Sequence, residues 1–163
     1  MNKTTIVALV ALSVLLFVLS LILPAYYYGP AEARRPTQGW ECLIIGWFPA
    51  IFGVFGVFGG HDDLLGTVTW IVNPMLVAIW ATVFVRSRGA AVIGALGTLA
   101  MSLGFLGVHT IPVPDGHTQD HIAPAVGYGL WVASAAVALV AAIVAALGGE
   151  REVVRPPRRP LRP

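Results

Sequence analysis

The residues best suited to chemistry are the four histidines, His61, His109, His117 and His121, and the aspartates Asp62, Asp63, Asp115 and Asp120. Imidazole and carboxylate are the ligands zinc takes in a tetrahedral shell, and imidazole also suits copper. His117 and His121 are spaced i, i+4, which puts both rings on one face if that stretch coils as a helix. His109 and the His61-Asp62-Asp63 triplet could complete a shell. The sharper expectation is therefore an extracytoplasmic zinc or copper site from His61, Asp62, His109, His117 and His121. The plainer one is a pair of solvated or partner-contacting loops, because Pro112, Pro114 and Pro124 oppose a long helix there.

Other chemistries find less support. A single cysteine, Cys42, cannot form an internal disulfide and excludes a dithiol relay, which needs paired thiols. Beside Glu41 it has the neighbour of a nucleophile, and lipid attachment is a further use, but between Trp40 and Trp47 it reads more simply as packing. No Ser, His and Asp arrangement carries a recognisable local signature, so no enzyme activity is expected. Haem held between helices needs axial histidines at membrane depth. Proton or ion transport keeps ionisable side chains inside the membrane. The four spans expected below, 6–24, 64–85, 90–108 and 125–147, contain no Asp, Glu, Lys, Arg or His.

The elements that must position these residues follow from composition. Of 163 residues, 57% are hydrophobic and only 11% charged, where a soluble domain carries about 25% charged. At about 20 apolar residues per crossing, the chain accommodates four or five membrane helices and no separate soluble domain. Spans are expected at about 6–24, 64–85, 90–108 and 125–147, forming one transmembrane domain over 1–149. A basic, Pro-rich cytoplasmic tail follows over 150–163. The first run exceeds the apolar core of a cleaved signal peptide, so it reads as a retained helix. Tyr26, Tyr27 and Tyr28 follow it as interfacial belt residues, and Tyr128 and Trp131 take the same role at the start of the last span. Asn73-Pro74 predicts a kink in the second span, the amide of Asn73 being placed to satisfy a carbonyl the proline frees.

Two patterns concern packing. Gly94, Gly97, Gly104 and Gly107 recur on one face of the third span, and Ser134, Ala138, Ala141 and Ala145 form a small-residue stripe on the fourth. Such faces let helices approach closely in lipid, where packing rather than hydrophobicity drives association. The stretch 39–63 is apolar but interrupted by Pro49 and glycines at 46, 53, 56, 59 and 60. It is expected to be re-entrant or interfacial, with Trp40, Trp47, Phe52, Phe55 and Phe58 as its bulky side.

Arginine placement sets the orientation, since short Lys/Arg-rich loops stay in the cytoplasm. Four spans with the N-terminus inside place eight basic residues in the cytoplasm and two, Arg34 and Arg35, outside. Five spans with the N-terminus outside place nine inside and leave only Lys3 out. Four are preferred because of the Pro and Gly content of 39–63 and the lysine-led start. Both arrangements put every histidine and aspartate outside. Arg155, Arg158 and Arg159 in the tail are placed to meet anionic lipid headgroups.

Four spans with a long first outer loop carrying Gly39-Trp40 and Gly46-Trp47 resemble the plan of the claudin-type tetraspans. The chain lacks the cysteine pair those proteins carry in that loop, and the resemblance extends to architecture alone. The expectation is thus an all-α integral membrane protein, a four-helix bundle in the bacterial cytoplasmic (inner) membrane with both termini cytoplasmic. Its expected partners are the lipid bilayer and other membrane subunits or copies of itself, with no nucleic acid. The expected role is a small structural, scaffold or accessory subunit acting through helix and outer-loop contacts. The alternatives are an extracytoplasmic metal- or small-ligand-binding protein and, third, a lipid-interacting or pore-forming assembly.

Overall fold

A computed structural model describes residues 3–29, 34–44, 62–85, 88–104, 106, 110–112 and 119–153; for 28, 62–70, 88, 110–112, 119–121 and 149–153 it describes the backbone alone. Described residues are mostly helical. In chain order they form α1 (Lys3–Ile22), β1 (Pro24–Tyr28), β2 (Arg35–Gln38), α2 (Asp62–Thr82), α3 (Arg88–Gly104), β3 (Thr110–Pro112), β4 (Gln119–Pro124) and α4 (Val126–Val153). A further helical turn occupies 39–44. Two helical stretches, Lys3–Ile22 and Val126–Gly148, are long and apolar enough to cross a membrane. The described apolar stretches of the other two helices, Ile71–Thr82 and Gly89–Gly104, are shorter.

Packing among the helices is antiparallel between neighbours. α1 lies along α4, α4 along α3, and α3 along α2. The pairing of Gly94 with Ile79 and of Gly97 with Met75 fixes the opposed directions of α2 and α3. Most fully enclosed positions are small: Ser13, Ala95, Thr98, Ser102, Ser134, Ala135, Ala138, Ala141 and Ala142 are all within 1% of complete burial, and α2 adds the larger Val72 and Leu76 at 0%. Large apolar side chains face out, among them Ile93 at 74%, Ile22 at 65% and Leu15 at 54% exposure. Small interior residues let backbones approach, which is how helices associate in lipid; an apolar exterior this extensive is otherwise rare on a monomer.

α1 contributes one narrow seam. Ser13 and Ser20 are buried, and Ile6, Val10 and Phe17 pack against the core. Positions 6, 10, 13, 17 and 20 alternate spacings of four and three, the repeat that keeps one stripe of a helix facing a neighbour. On α4 the buried stripe runs through Ser134, Ala138, Ala141 and Ala145, with Ala135 and Ala142 beside it. On α3 the buried row is Ala91, Ala95, Thr98 and Ser102.

The stretches 29–38 and 109–124, expected as polar connections, instead contribute strands to one antiparallel sheet of order β2-β1-β4-β3. β1 and β4 form its centre, pairing Tyr27 with Ala123 and Tyr28 with Ile122. Its prolines stand only where a missing N–H does no harm. Pro36 and Pro112 are on the edge strands, Pro24 begins β1 and Pro124 ends β4. A shift of register between Pro24 and Tyr26 marks a bulge at Ala25. The bulge leaves the Ala25 carbonyl free to accept from the Ala125 N–H at 2.9 Å, tying the sheet to the start of α4. Gly29 opens the β1–β2 turn at φ 104°, a left-handed conformation that favours glycine.

Because the sheet joins β1–β2 to β3–β4, both connections stand at one end of the helices. The turn 39–44 starts at that end, against the last residues of α1. α2, opposed in direction to α3, begins at the same end. Ile44 and Asp62 therefore stand at the same end of the helices, and 45–61 lies outside the described residues.

α4 continues past its apolar span, Val126–Gly148, to Val153. Glu150, Arg151 and Glu152 are competent helix residues, and the Gly148-Gly149 pair only weakens the helix.

Candidate functional site

The described residues concentrate their polar contacts in two places, a junction beneath the sheet and a set of hydrogen bonds between helices. At the junction, Pro24 ends α1 and leaves carbonyls of the last turn without helical partners. The Gly39 N–H donates to Leu23 O at 3.1 Å. A Cβ at Gly39 would stand 2.0 Å from Ser20 O, and one at Gly127 would stand 2.7 Å from both Leu23 O and Pro24 O. Only glycine fits either position, so the 39–44 turn and the start of α4 both close directly on the backbone of the α1–β1 corner. Gln38 and Glu41 secure the turn, the Gln38 N–H donating to Glu41 Oε2 at 3.0 Å, one half of a capping box.

Trp40 and Ile44 project from that turn at 50% and 53% exposure, while Glu41, Cys42 and Leu43 are partly buried. Burial pushes the Cys42 thiol up to about 11, with the Glu41 carboxylate adding in the same direction. Tyr26 turns inward, and burial first, then Tyr128 and Cys42, raise its phenol far above the ordinary range. Neither group is a nucleophile at neutral pH in this state, since reactivity needs the ionised form.

Between the helices, hydroxyls and indoles pair across the core. Ser13 Oγ donates to Ser134 O and Ser134 Oγ to Ser13 O, each at 2.9 Å. Trp80 Nε1 donates to Ser13 Oγ at 2.9 Å, bringing α2 into the same knot, and its ring meets Phe17 edge-on at 5.6 Å. Nearer the sheet, Trp131 Nε1 donates to Asn73 Oδ1 at 2.9 Å, and Tyr128 OH donates to Ser102 O. Tyr26, Tyr128 and Trp131 stack in succession at 5.4 and 5.7 Å. Remaining hydroxyls bond back to their own helix, Thr98 to Gly94 O and Ser102 to Thr98 O, both at 2.8 Å.

Expected site residues fall as follows. His61, His109 and His117 lie outside the described residues, and Asp62 and His121 are placed by backbone alone, at the start of α2 and on β4 opposite Thr110. An extended strand at His121 removes the helical face that would have aligned it with His117. A Cβ at Gly94 would stand 3.7 Å from Ile79 Cγ1 and one at Gly97 4.0 Å from Met75 Cε, both on α2; one at Gly104 would meet nothing within 4 Å among the described residues, and Gly107 is undescribed. Of the interfacial residues, Trp40 is described and exposed; Trp47, Phe52, Phe55 and Phe58 are outside the described residues, as are Arg155, Arg158 and Arg159.

Of the aromatics expected in an interfacial belt, Tyr128 is buried at 4% exposure, Tyr26 and Trp131 are half-buried, and Tyr27 is exposed. Asn73 offers its side-chain oxygen to Trp131, a donor on a helix whose pairing with α2 the chain alone does not display. Ser13 and Ser20 escaped notice although their heptad spacing within an apolar run carried the signal.

Comparisons with known protein families, with curated proteins and with solved structures find no match to this chain.

Proposed function

We propose that the protein is a small structural or accessory subunit of a membrane assembly, working through helix contacts and through the sheet-bearing outer end. The observation that carries this is the apolar exterior. Apart from Val72, Leu76, Ile79 and Val83 of α2 and its end, the described interior is mostly small residues, with hydroxyl, indole and phenol groups that bond to one another, while many large apolar side chains of all four helices face outward. A core so occupied stabilises the chain; what it offers to others lies on its surface.

In this reading four helices cross the bilayer, α2 and α3 with them. The placement of Ile44 and Asp62 at the same end of the helices supports a non-crossing stretch between them. The sheet then lies on the extracytoplasmic side of a bacterial cytoplasmic membrane. The N-terminus, the 86–88 link and the tail are cytoplasmic, with Arg155, Arg158 and Arg159 at anionic headgroups. The end of α3 at Gly104 is taken as part of the assembly face, because among the described residues nothing lies within 4 Å of a Cβ placed there. Native mass measured in mild detergent should exceed one chain for the wild type and fall for Gly104→Leu at unchanged helicity. A wild-type monomer, or a variant that assembles as well, would overturn the proposal.

A further inference from the structure

The turn 39–44 is built as a rigid outrigger on α1, and what it carries is apolar. Its first residue is locked to the end of α1 by the Gly39–Leu23 hydrogen bond and by an approach to Ser20 O that leaves no room for a Cβ. Its second half-turn is held by the Glu41 cap on Gln38. Trp40 and Ile44, four residues apart, lie on one face of the turn, and each is about half exposed. The end of α1 to which the turn is clamped presents Val18, Leu19 and Ile22 to the outside as well, Ile22 at 65%. A helix that ends at a proline after an apolar run of this length ends at the boundary between hydrocarbon and headgroups. Indole rings with an exposed edge partition to that boundary.

We propose that the 39–44 turn docks on the lipid bilayer itself, Trp40 and Ile44 seating at the headgroup–hydrocarbon boundary beside the end of α1 and fixing the height of the sheet above the membrane. This rests on the reading of α1 as a membrane helix, and it names the bilayer, rather than another protein, as the occupant of that face. The face continues the apolar exterior of α1, to whose end the turn is tied by the Gly39–Leu23 hydrogen bond.

The test is spin labelling of the full chain in lipid bilayers. In a Cys42→Ser background, a nitroxide is placed singly by Trp40→Cys, Ile44→Cys, Leu15→Cys on the exterior of α1, and Arg34→Cys in the exposed β1–β2 connection. Collision with oxygen, which concentrates in lipid, is compared with collision with a water-soluble nickel chelate. The expected result is a shift of positions 40 and 44 toward oxygen relative to position 34, with position 15 deeper still. A water-like ratio at 40 and 44, or low collision with both reagents as for a site covered by protein, overturns the proposal while position 15 remains lipid-like. If position 15 is itself water-like, the membrane reading of α1 fails first. Ile44→Cys keeps Trp40 in place, so the outcome does not depend on tolerance of the Trp40 substitution.

Discussion

Ser13 and Ser134 show how little side-chain chemistry is needed to hold two helices together when nothing else competes for it. Each hydroxyl reaches the other helix's carbonyl, and Trp80 adds its N–H to the same point. Hydrogen bonds of this kind contribute about 0.6 to 2 kcal/mol inside a membrane protein. A double-mutant cycle of Ser13→Ala and Ser134→Ala, read by unfolding in mixed micelles, should give a coupling energy in that range. Additive losses would remove the knot from the account. Gly39 is the stricter position. Gly39→Ala must displace the Ser20 carbonyl region and should destabilise by about 1 to 3 kcal/mol, whereas Gly104→Ala, with open space around it, should be close to neutral in the same assay. Cys42 supplies a pH test. Its thiol is held up to about 11 from an ordinary 9.0 by burial and then by Glu41, so the thiolate appears only at high pH. Alkylation of the folded protein should keep rising past pH 9 toward 11, while the denatured chain levels off near its ordinary value. A folded profile that plateaus with the denatured one would contradict the burial of this group.

At the scale of elements, the helices were legible in the sequence and the sheet was not. Long apolar runs bounded by Pro24, the RSRG link and Ala125 announce helices because length and hydropathy alone decide them. Strands of three to six residues rich in proline announce nothing, since each proline counts against a strand until the partner strands are known. The sheet exists because two connections far apart in the chain meet at one end of the helices, and that meeting is a tertiary event. The same gap explains the aromatic residues. Tyr128 and Trp131 sit where an interfacial belt is expected, and only the approach of Ser102 and Asn73 from other helices turns them inward. The metal-ligand candidates stay where the sequence left them, His61, His109 and His117 being outside the described residues. The β1–β4 pairing has its own check. Tyr27 and Ala123 are direct partners, and paired Cα atoms in an antiparallel ladder stand about 4.5 to 5.5 Å apart, within reach of a disulfide. Tyr27→Cys with Ala123→Cys, in a Cys42→Ser background, should crosslink under mild oxidation, and Tyr27→Cys with Gln119→Cys should not. Equal yields would show that the two connections do not share a sheet.

For the whole molecule, the distribution of side chains matters more than any single contact. Three of the four helices bury mainly alanine, serine and threonine, α2 adds Val72, Leu76 and Ile79, and many leucines, isoleucines and valines face outward, a distribution that suits packing in lipid. The sheet and the 39–44 turn stand at one end of the helices, the end that the proposed plan places outside. Every surface assigned a role here depends on that plan of four crossings with the sheet outside. The most direct test places single cysteines by Arg34→Cys, Asp62→Cys and Ser87→Cys in a Cys42→Ser background and labels intact cells with a membrane-impermeant maleimide. Positions 34 and 62 should label from outside, and position 87 only after the membrane is opened. Labelling that puts 34 and 62 on opposite sides, or 62 and 87 on the same side, would contradict it.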